Sequence, residues 1–177
     1  MGESNEEKGL ILVYTGNGKG KTSAAVGQAV RALGSGIEVA FGQFLKRDNQ
    51  AGEQKILKSI LGNNFKASGT GFFRHAKDKQ RHRDGALRLL KWADEKIRDN
   101  CGMLILDEVL YALKMELITR DELEDLMDHA SRAGISMVLT GRDMPLWLKE
   151  KVDLVSEILE IKHHFQKNIP ARKGIEF

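Results

Sequence analysis

Leu10-Ile11-Leu12-Val13-Tyr14-Thr15-Gly16-Asn17-Gly18-Lys19-Gly20-Lys21-Thr22 is the stretch that decides the fold. Its first five residues are a short, continuous, β-prone apolar run, the pattern of a strand buried on both faces in a parallel sheet. The eight that follow match the phosphate-binding loop at Gly20, Lys21 and Thr22, and place Thr15 where that template opens on glycine. Beyond the loop, Ala25, Val26, Ala29, Val30 and Leu33 recur at helical spacing, and Gly34 with Gly36 supplies a stop. A strand, a glycine-rich loop and a helix in this order make the loop amides of Gly16, Asn17, Gly18, Lys19 and Gly20 converge with the positive end of the helix dipole on one anion pocket. Lys21 is then placed to reach phosphate oxygens and the Thr22 hydroxyl to bind Mg²⁺, while Lys19 adds a second cation at the rim.

Outward from this unit, strands and helices alternate to the end of the chain. Strands are expected at 38–44, 65–67, 103–106, 136–139 and 158–161. Between them lie an amphipathic stretch through Ile56, Leu57, Ile60 and Leu61, and a long helix whose apolar face is Ala86, Leu90, Ala93 and Ile97. Thr119 with Glu122 forms a capping box opening a helix through Leu123, Leu126, Met127 and Ala130, and Asp143 with Pro145 marks a further helix start before Leu146. The architecture expected is a three-layer α/β sandwich with a mainly parallel sheet, of the P-loop NTPase-like (RecA-like) class. It forms one domain over residues 9–177 after a short tail at 1–8.

Composition agrees with a globular chain. Of 177 residues, 41% are hydrophobic and 30% charged, with 2 Pro, a balance outside the disordered, collagenous and membrane classes. The net charge of +3 is too small to imply a nucleic-acid partner. Glu3, Glu6 and Glu7 with no apolar run make residues 1–8 unlike a signal peptide, so the expected address is the cytoplasm, with no membrane association. A single cysteine, Cys101, excludes an internal disulfide and reads as a packing residue.

Two further motifs belong with the loop. Met103-Leu104-Ile105-Leu106 ends in Asp107-Glu108, and acids at the carboxyl end of a parallel strand face the ligand crevice, where they can hold the Mg²⁺ that bridges phosphate oxygens. Thr140-Gly141-Arg142 closes another strand at the same edge, so Arg142 is placed either to contact phosphates or to pair with a surface acid. The basic run at 74–83 lacks the interleaved aromatics of a base-stacking surface and reads as a solvated helix entry. His163-His164 has no partner at metal-ligand spacing and reads as structural.

The ordered set Thr15 to Thr22, Gln43-Phe44-Leu45-Lys46, Gly69-Thr70-Gly71-Phe72, Leu106-Asp107-Glu108, Thr140-Gly141-Arg142, Asp153-Leu154-Val155-Ser156-Glu157 and Gly174-Ile175-Glu176-Phe177 resembles the phosphate-loop type of ATP:corrinoid adenosyltransferases, collinearly from Gly9 to the last residue. The resemblance implies attack of a reduced corrinoid, cob(I)alamin or a precursor, on the 5′ carbon of ATP with release of triphosphate. It implies a homodimer, Mg²⁺ with Mn²⁺ as a substitute, and an electron donor such as flavodoxin or a flavin reductase. It casts Lys21, Phe72 and Glu108 as catalytic, Gly16 to Thr22 and Arg142 as nucleotide ligands, and Thr22, Asp107 and Glu108 as metal ligands. ATP is expected to lie along the loop in reversed order. Phe72 takes an aromatic position that crowds out the corrinoid's lower axial ligand and so eases reduction of cobalt. Two departures stand out: Arg74 occupies a position where tryptophan is common in the family, and residues 1–8 are shorter than the helical arm of many members. Closure over the corrinoid is then expected from the 74–83 segment. The competing readings are a hydrolase yielding ADP and phosphate, and a nucleotide-driven switch without turnover.

Overall fold

Burial at every position of Met103–Asp107 and Val39–Gln43 fixes these two strands in the middle of a sheet, because such residues find no face that tolerates water. The computed structural model describes residues 8–69, 71 and 78–176. In chain order the elements are β1 (Ile11–Thr15), α1 (Lys21–Gly34), β2 (Val39–Gln43), α2 (Gly52–Leu61), β3 (Phe65–Ala67), α3 (Lys79–Arg98), β4 (Met103–Asp107), α4 (Val109–Lys114), α5 (Arg120–Arg132), β5 (Ser136–Thr140), α6 (Leu146–Lys149) and β6 (Leu154–Glu157). The six strands form one sheet in the order β3-β2-β4-β5-β1-β6, with every neighbouring pair parallel.

Alternation along each strand divides the core into two layers, one on each face. Leu104 and Leu106 of β4, with Met137 and Leu139 of β5, pack under Leu89, Ala93, Leu123 and Met127 of α3 and α5. Ile105 and Val138 turn to the other face, against Ala25 and Ala29 of α1 and Leu57 of α2. Small alanines on α1 let its backbone approach the sheet closely, which brings the helix N-terminus to the strand ends. Cys101 is buried in the first layer, and burial pushes its thiol up to about 11, as suits a packing residue.

The capping box on α5 is present as expected: Glu122 N–H donates to Thr119 Oγ1 at 3.2 Å, and Thr119 N–H to Glu122 Oε2 at 2.7 Å. The last strand is not. It lies at Leu154–Glu157, beside β1, instead of 158–161. All four of its residues are exposed, so it carries no buried alternation, whereas the apolar Leu159 and Ile161 that suggested a strand are themselves exposed. Helix α4 was not expected either, because the αL conformation of Glu108 (φ 63°) turns the chain directly from β4 into it. On α2 only Leu57 and Leu61 of the apolar face are buried; Ile56 and Ile60 are exposed. In the described part of the basic run, Arg83 forks onto both oxygens of Glu122 (2.5 and 2.6 Å) and Lys79 pairs with Glu116 at 2.6 Å. No helix among the described residues is long and apolar enough to cross a membrane.

Phe41 of β2 is fully buried, with its ring centroid 6.4 Å from that of Phe65 on the adjoining β3. Phe41→Ala is expected to cost about 3–5 kcal/mol through lost burial and the cavity left behind, read as a lower midpoint in urea unfolding.

Candidate functional site

Parallel register brings the strand ends to one edge. Gln43 lies opposite Asp107, Leu106 opposite Leu139, and Tyr14 opposite Thr140, so the carboxyl ends of β2, β4, β5 and β1 form a continuous row. The phosphate loop leaves β1 at this row and hands the chain to α1.

Within the loop, Lys21 folds back over its own backbone. Its ammonium donates to the carbonyls of Gly16 (2.8 Å) and Gly18 (2.7 Å), drawing the loop into a ring. Burial lowers the Lys21 pKa, and the nearby Arg142 guanidinium lowers it further. The segment after β6 clamps the loop from outside, with Gly18 N–H donating to Ile158 O at 2.7 Å and Ile158 N–H to Thr15 O at 2.8 Å. A Cβ on Gly18 would stand 2.6 Å from Leu159 O and 2.7 Å from Ile158 O, both backbone atoms, so only glycine permits this clamp.

Asp107 sits at the centre and is wholly buried. Four side chains donate to its carboxylate: Thr22 (3.0 and 3.2 Å), Gln43 (3.1 Å), Lys46 (3.1 Å) and Thr140 (2.7 Å). Hydrogen bonds to a charged acceptor contribute about 1.5–3 kcal/mol each, which is how a charge survives at such depth. Lys46 also reaches Glu53 Oε1 at 3.0 Å and Thr22 Oγ1 at 3.2 Å. Burial opposes the Lys46 charge, but the Asp107 and Glu53 carboxylates outweigh it and hold the ammonium above its ordinary range. Gln54 completes the network, donating to Gln43 Oε1 at 2.8 Å.

Glu108, next in sequence, points elsewhere. Its N–H donates to Thr140 Oγ1 at 2.9 Å, and its carboxylate faces the cleft that Lys21 and Arg142 also line. Burial raises its pKa and the Asp107 charge raises it further, against the partial offset of Lys46, Lys21 and Arg142. That cleft encloses about 730 Å³ along the loop. A second cleft of about 420 Å³, lined by Leu45, Gly71 and Tyr111, adjoins it, and Lys46, Glu108 and Arg142 border both. Gly69 N–H donates to Lys46 O (3.0 Å) and Gly71 N–H to Leu45 O (3.3 Å), so the loop on the second cleft is laid on the backbone that carries Lys46.

The structure thus gathers Gly16, Asn17, Gly18, Lys19, Gly20, Lys21, Thr22, Asp107, Glu108 and Arg142 around one edge of the sheet. Phe72 and Arg74 lie outside the described residues. Lys46, Glu53, Gln43 and Thr140 join the site without having been singled out for it. The signal available for Gln43, Lys46 and Thr140 was their place inside the motifs that carry the family resemblance, which gave them no role; Glu53 had no such signal. His163-His164 does gain a carboxylate neighbour that spacing did not reveal, with Glu176 Oε1 3.5 Å from His164 Nε2.

A phosphate loop between the first strand and helix of a parallel sheet, with an acid at the end of β4 facing it, defines a protein of the P-loop NTPase-like class. A KaiC-like protein from Pyrococcus horikoshii OT3 shares this fold, with a TM-score of 0.52 and 17% identity over 85% of this chain and 73% of that one. Residues 7–177 match the family ATP:corrinoid adenosyltransferase BtuR/CobO/CobP, and the chain belongs to that family. Corrinoid adenosyltransferases from Sinorhizobium sp (37% identical, covering 84% of that protein), Pseudomonas aeruginosa (34%, 88%) and Escherichia coli K12 (30%, 90%) each align with 100% of this chain.

The raised pKa of Glu108 carries a stability consequence. The folded state holds the proton more tightly than the unfolded chain, so the carboxyl weakens the fold as pH rises through the ordinary glutamate range and above. Glu108→Gln is therefore expected to raise the nucleotide-free melting temperature at neutral pH, the gain vanishing once pH falls below that range. Differential scanning calorimetry at both pH values checks it.

Proposed function

We propose that this chain is an ATP:corrinoid adenosyltransferase. The Co(I) centre of the reduced corrinoid donates its electron pair to C5′ of ATP, a cobalt–carbon bond forms, and the C5′–O bond breaks with its electron pair leaving on triphosphate. The single observation that carries this reading, beside family membership, is the meeting of two clefts at Lys46, Glu108 and Arg142. One cleft runs along a phosphate loop and the other is lined by Leu45 and Tyr111, an arrangement suited to a nucleotide and an apolar macrocycle edge reacting at their junction.

The chemistry asks for stabilisation of accumulating phosphate charge and for no general base, because Co(I) carries no proton to remove. Lys21, Lys19, Arg142 and the loop amides of Gly16 to Gly20 provide the positive field. Lys21 already holds two loop carbonyls, so it stays in place and the loop is organised before ATP arrives. Thr22, Asp107 and Glu108 supply hydroxyl and carboxylate oxygens, the donor set of a hard cation, and the Lys46 ammonium against Thr22 and Asp107 supports a cation at this place. Mg²⁺, with Mn²⁺ as a substitute, would be held by these three residues and when bound would neutralise the triphosphate. Phe72, next in sequence after the cleft residue Gly71, is the side chain proposed to crowd the lower face of the corrinoid.

The working unit proposed is a cytoplasmic homodimer served by flavodoxin or a flavin reductase and making no contact with nucleic acid or membrane. Leu154 and Val155 of β6 and Leu159, Ile161 and Phe165 of the segment after it are exposed apolar side chains that such an interface could cover.

Anaerobic mixing with Mg²⁺, ATP and cob(I)alamin is expected to yield a light-sensitive alkylcobalamin and triphosphate, followed by visible spectra and phosphate chromatography. ADP and inorganic phosphate without alkylation would make the chain a hydrolase instead. Lys21→Ala is expected to lower kcat by at least about 10²-fold, as loss of a preorganised charge stabiliser does; near-normal turnover would overturn the role of the loop.

A further inference from the structure

The Lys46 ammonium lies among three oxygens from three elements: Thr22 Oγ1 of α1 (3.2 Å), Glu53 Oε1 of α2 (3.0 Å) and Asp107 Oδ2 of β4 (3.1 Å). Thr22 donates its hydroxyl proton to Asp107, at 3.0 Å from Oδ1, and turns a lone pair to Lys46. That lone pair and Asp107 Oδ2 are what a divalent cation would take from these two residues. Each can serve the ammonium or the metal, and two cations at contact distance repel strongly in so buried a place. Occupation by Lys46 and by metal is therefore mutually exclusive.

Asp107 explains why a lysine stands there at all. Its carboxylate is wholly buried on the central strand β4, and a buried carboxylate without a counter-charge costs several kcal/mol. Neutral donors from Gln43 and Thr140 relieve part of this, but neither brings positive charge. We propose that Lys46 is the built-in counter-cation of the metal pocket: its ammonium keeps the divalent ion out of the nucleotide-free enzyme, and yields its place when the ion arrives with the nucleotide. Lys46 borders both clefts, so the displaced ammonium moves toward the incoming triphosphate without leaving the site. Glu53 sets how firmly it is held beforehand. This assignment rests on the Mg·ATP reading above and adds to it an order of binding.

Electron paramagnetic resonance of Mn²⁺ titrated into the nucleotide-free protein tests it without any turnover. Wild type is expected to retain Mn²⁺ weakly. Lys46→Met, which keeps the apolar stem and removes the charge, is expected to bind one Mn²⁺ at least about tenfold more tightly. Adding Asp107→Asn to that variant should abolish the gain, locating the ion. Added ATP should bring Mn²⁺ into wild type. The assignment is overturned if Lys46→Met and Lys46→Gln, both folded by circular dichroism, bind Mn²⁺ no more tightly than wild type, or if nucleotide-free wild type already binds it as tightly as with ATP. Wild type that takes no Mn²⁺ even with ATP, while Lys46→Met gains the site, would sink the nucleotide reading and overturn the yielding step with it, and would support only the exclusion of metal by Lys46.

Discussion

The carboxylate of Asp107 is the constraint around which this molecule is built. A charge with no solvent contact has to be met by donors from whatever surrounds it, and here they come from β2, β5, the first turn of α1 and the segment after β2. Each partner ties a different element to the end of β4. The helix that follows the phosphate loop is thus anchored at Thr22 by the same group that anchors Lys46. Removing the carboxylate would leave several donors without an acceptor at once, which costs more than any one of the bonds contributes.

Sheet order makes this convergence available. β4 lies between β2 and β5, and β1 lies beyond β5, so the phosphate loop and the acid of β4 leave the sheet one strand apart. Because all the strands run parallel, their carboxyl ends share one edge, and loops that are distant in sequence become neighbours. The exposed edge strand β6 contributes differently: the chain after it crosses back and clamps Gly18, stiffening the loop from outside while Lys21 stiffens it from within.

The two clefts are mechanically continuous through residues 45–47. Leu45 holds a left-handed backbone (φ 63°), its carbonyl receives Gly71 N–H, and the next carbonyl, that of Lys46, receives Gly69 N–H. The side chain of Lys46 meanwhile reaches the centre of the phosphate side. One short segment therefore carries both part of the lining of the second cleft and the cation of the first.

Local pattern alone was enough for the phosphate loop, for Asp107-Glu108 at the end of a buried strand, for Thr140-Gly141-Arg142 and for the capping box of Thr119 and Glu122, since each depends on residues a few positions apart. Sequence also determined the alternation that makes a parallel three-layer fold, because buried strands leave unbroken apolar runs. Only the tertiary structure decided that Lys46 and Gln43 belong to the site. Their contacts with Asp107 span 61 and 64 residues, and no local spacing encodes a partner so far away. It also decided the position of the last strand: β6 is held by backbone pairing with β1 and has no buried face, so nothing in its side chains announced it. Glu108 shows the division within two residues. Sequence placed it beside Asp107, but its left-handed backbone turned it away from the buried network and into the cleft.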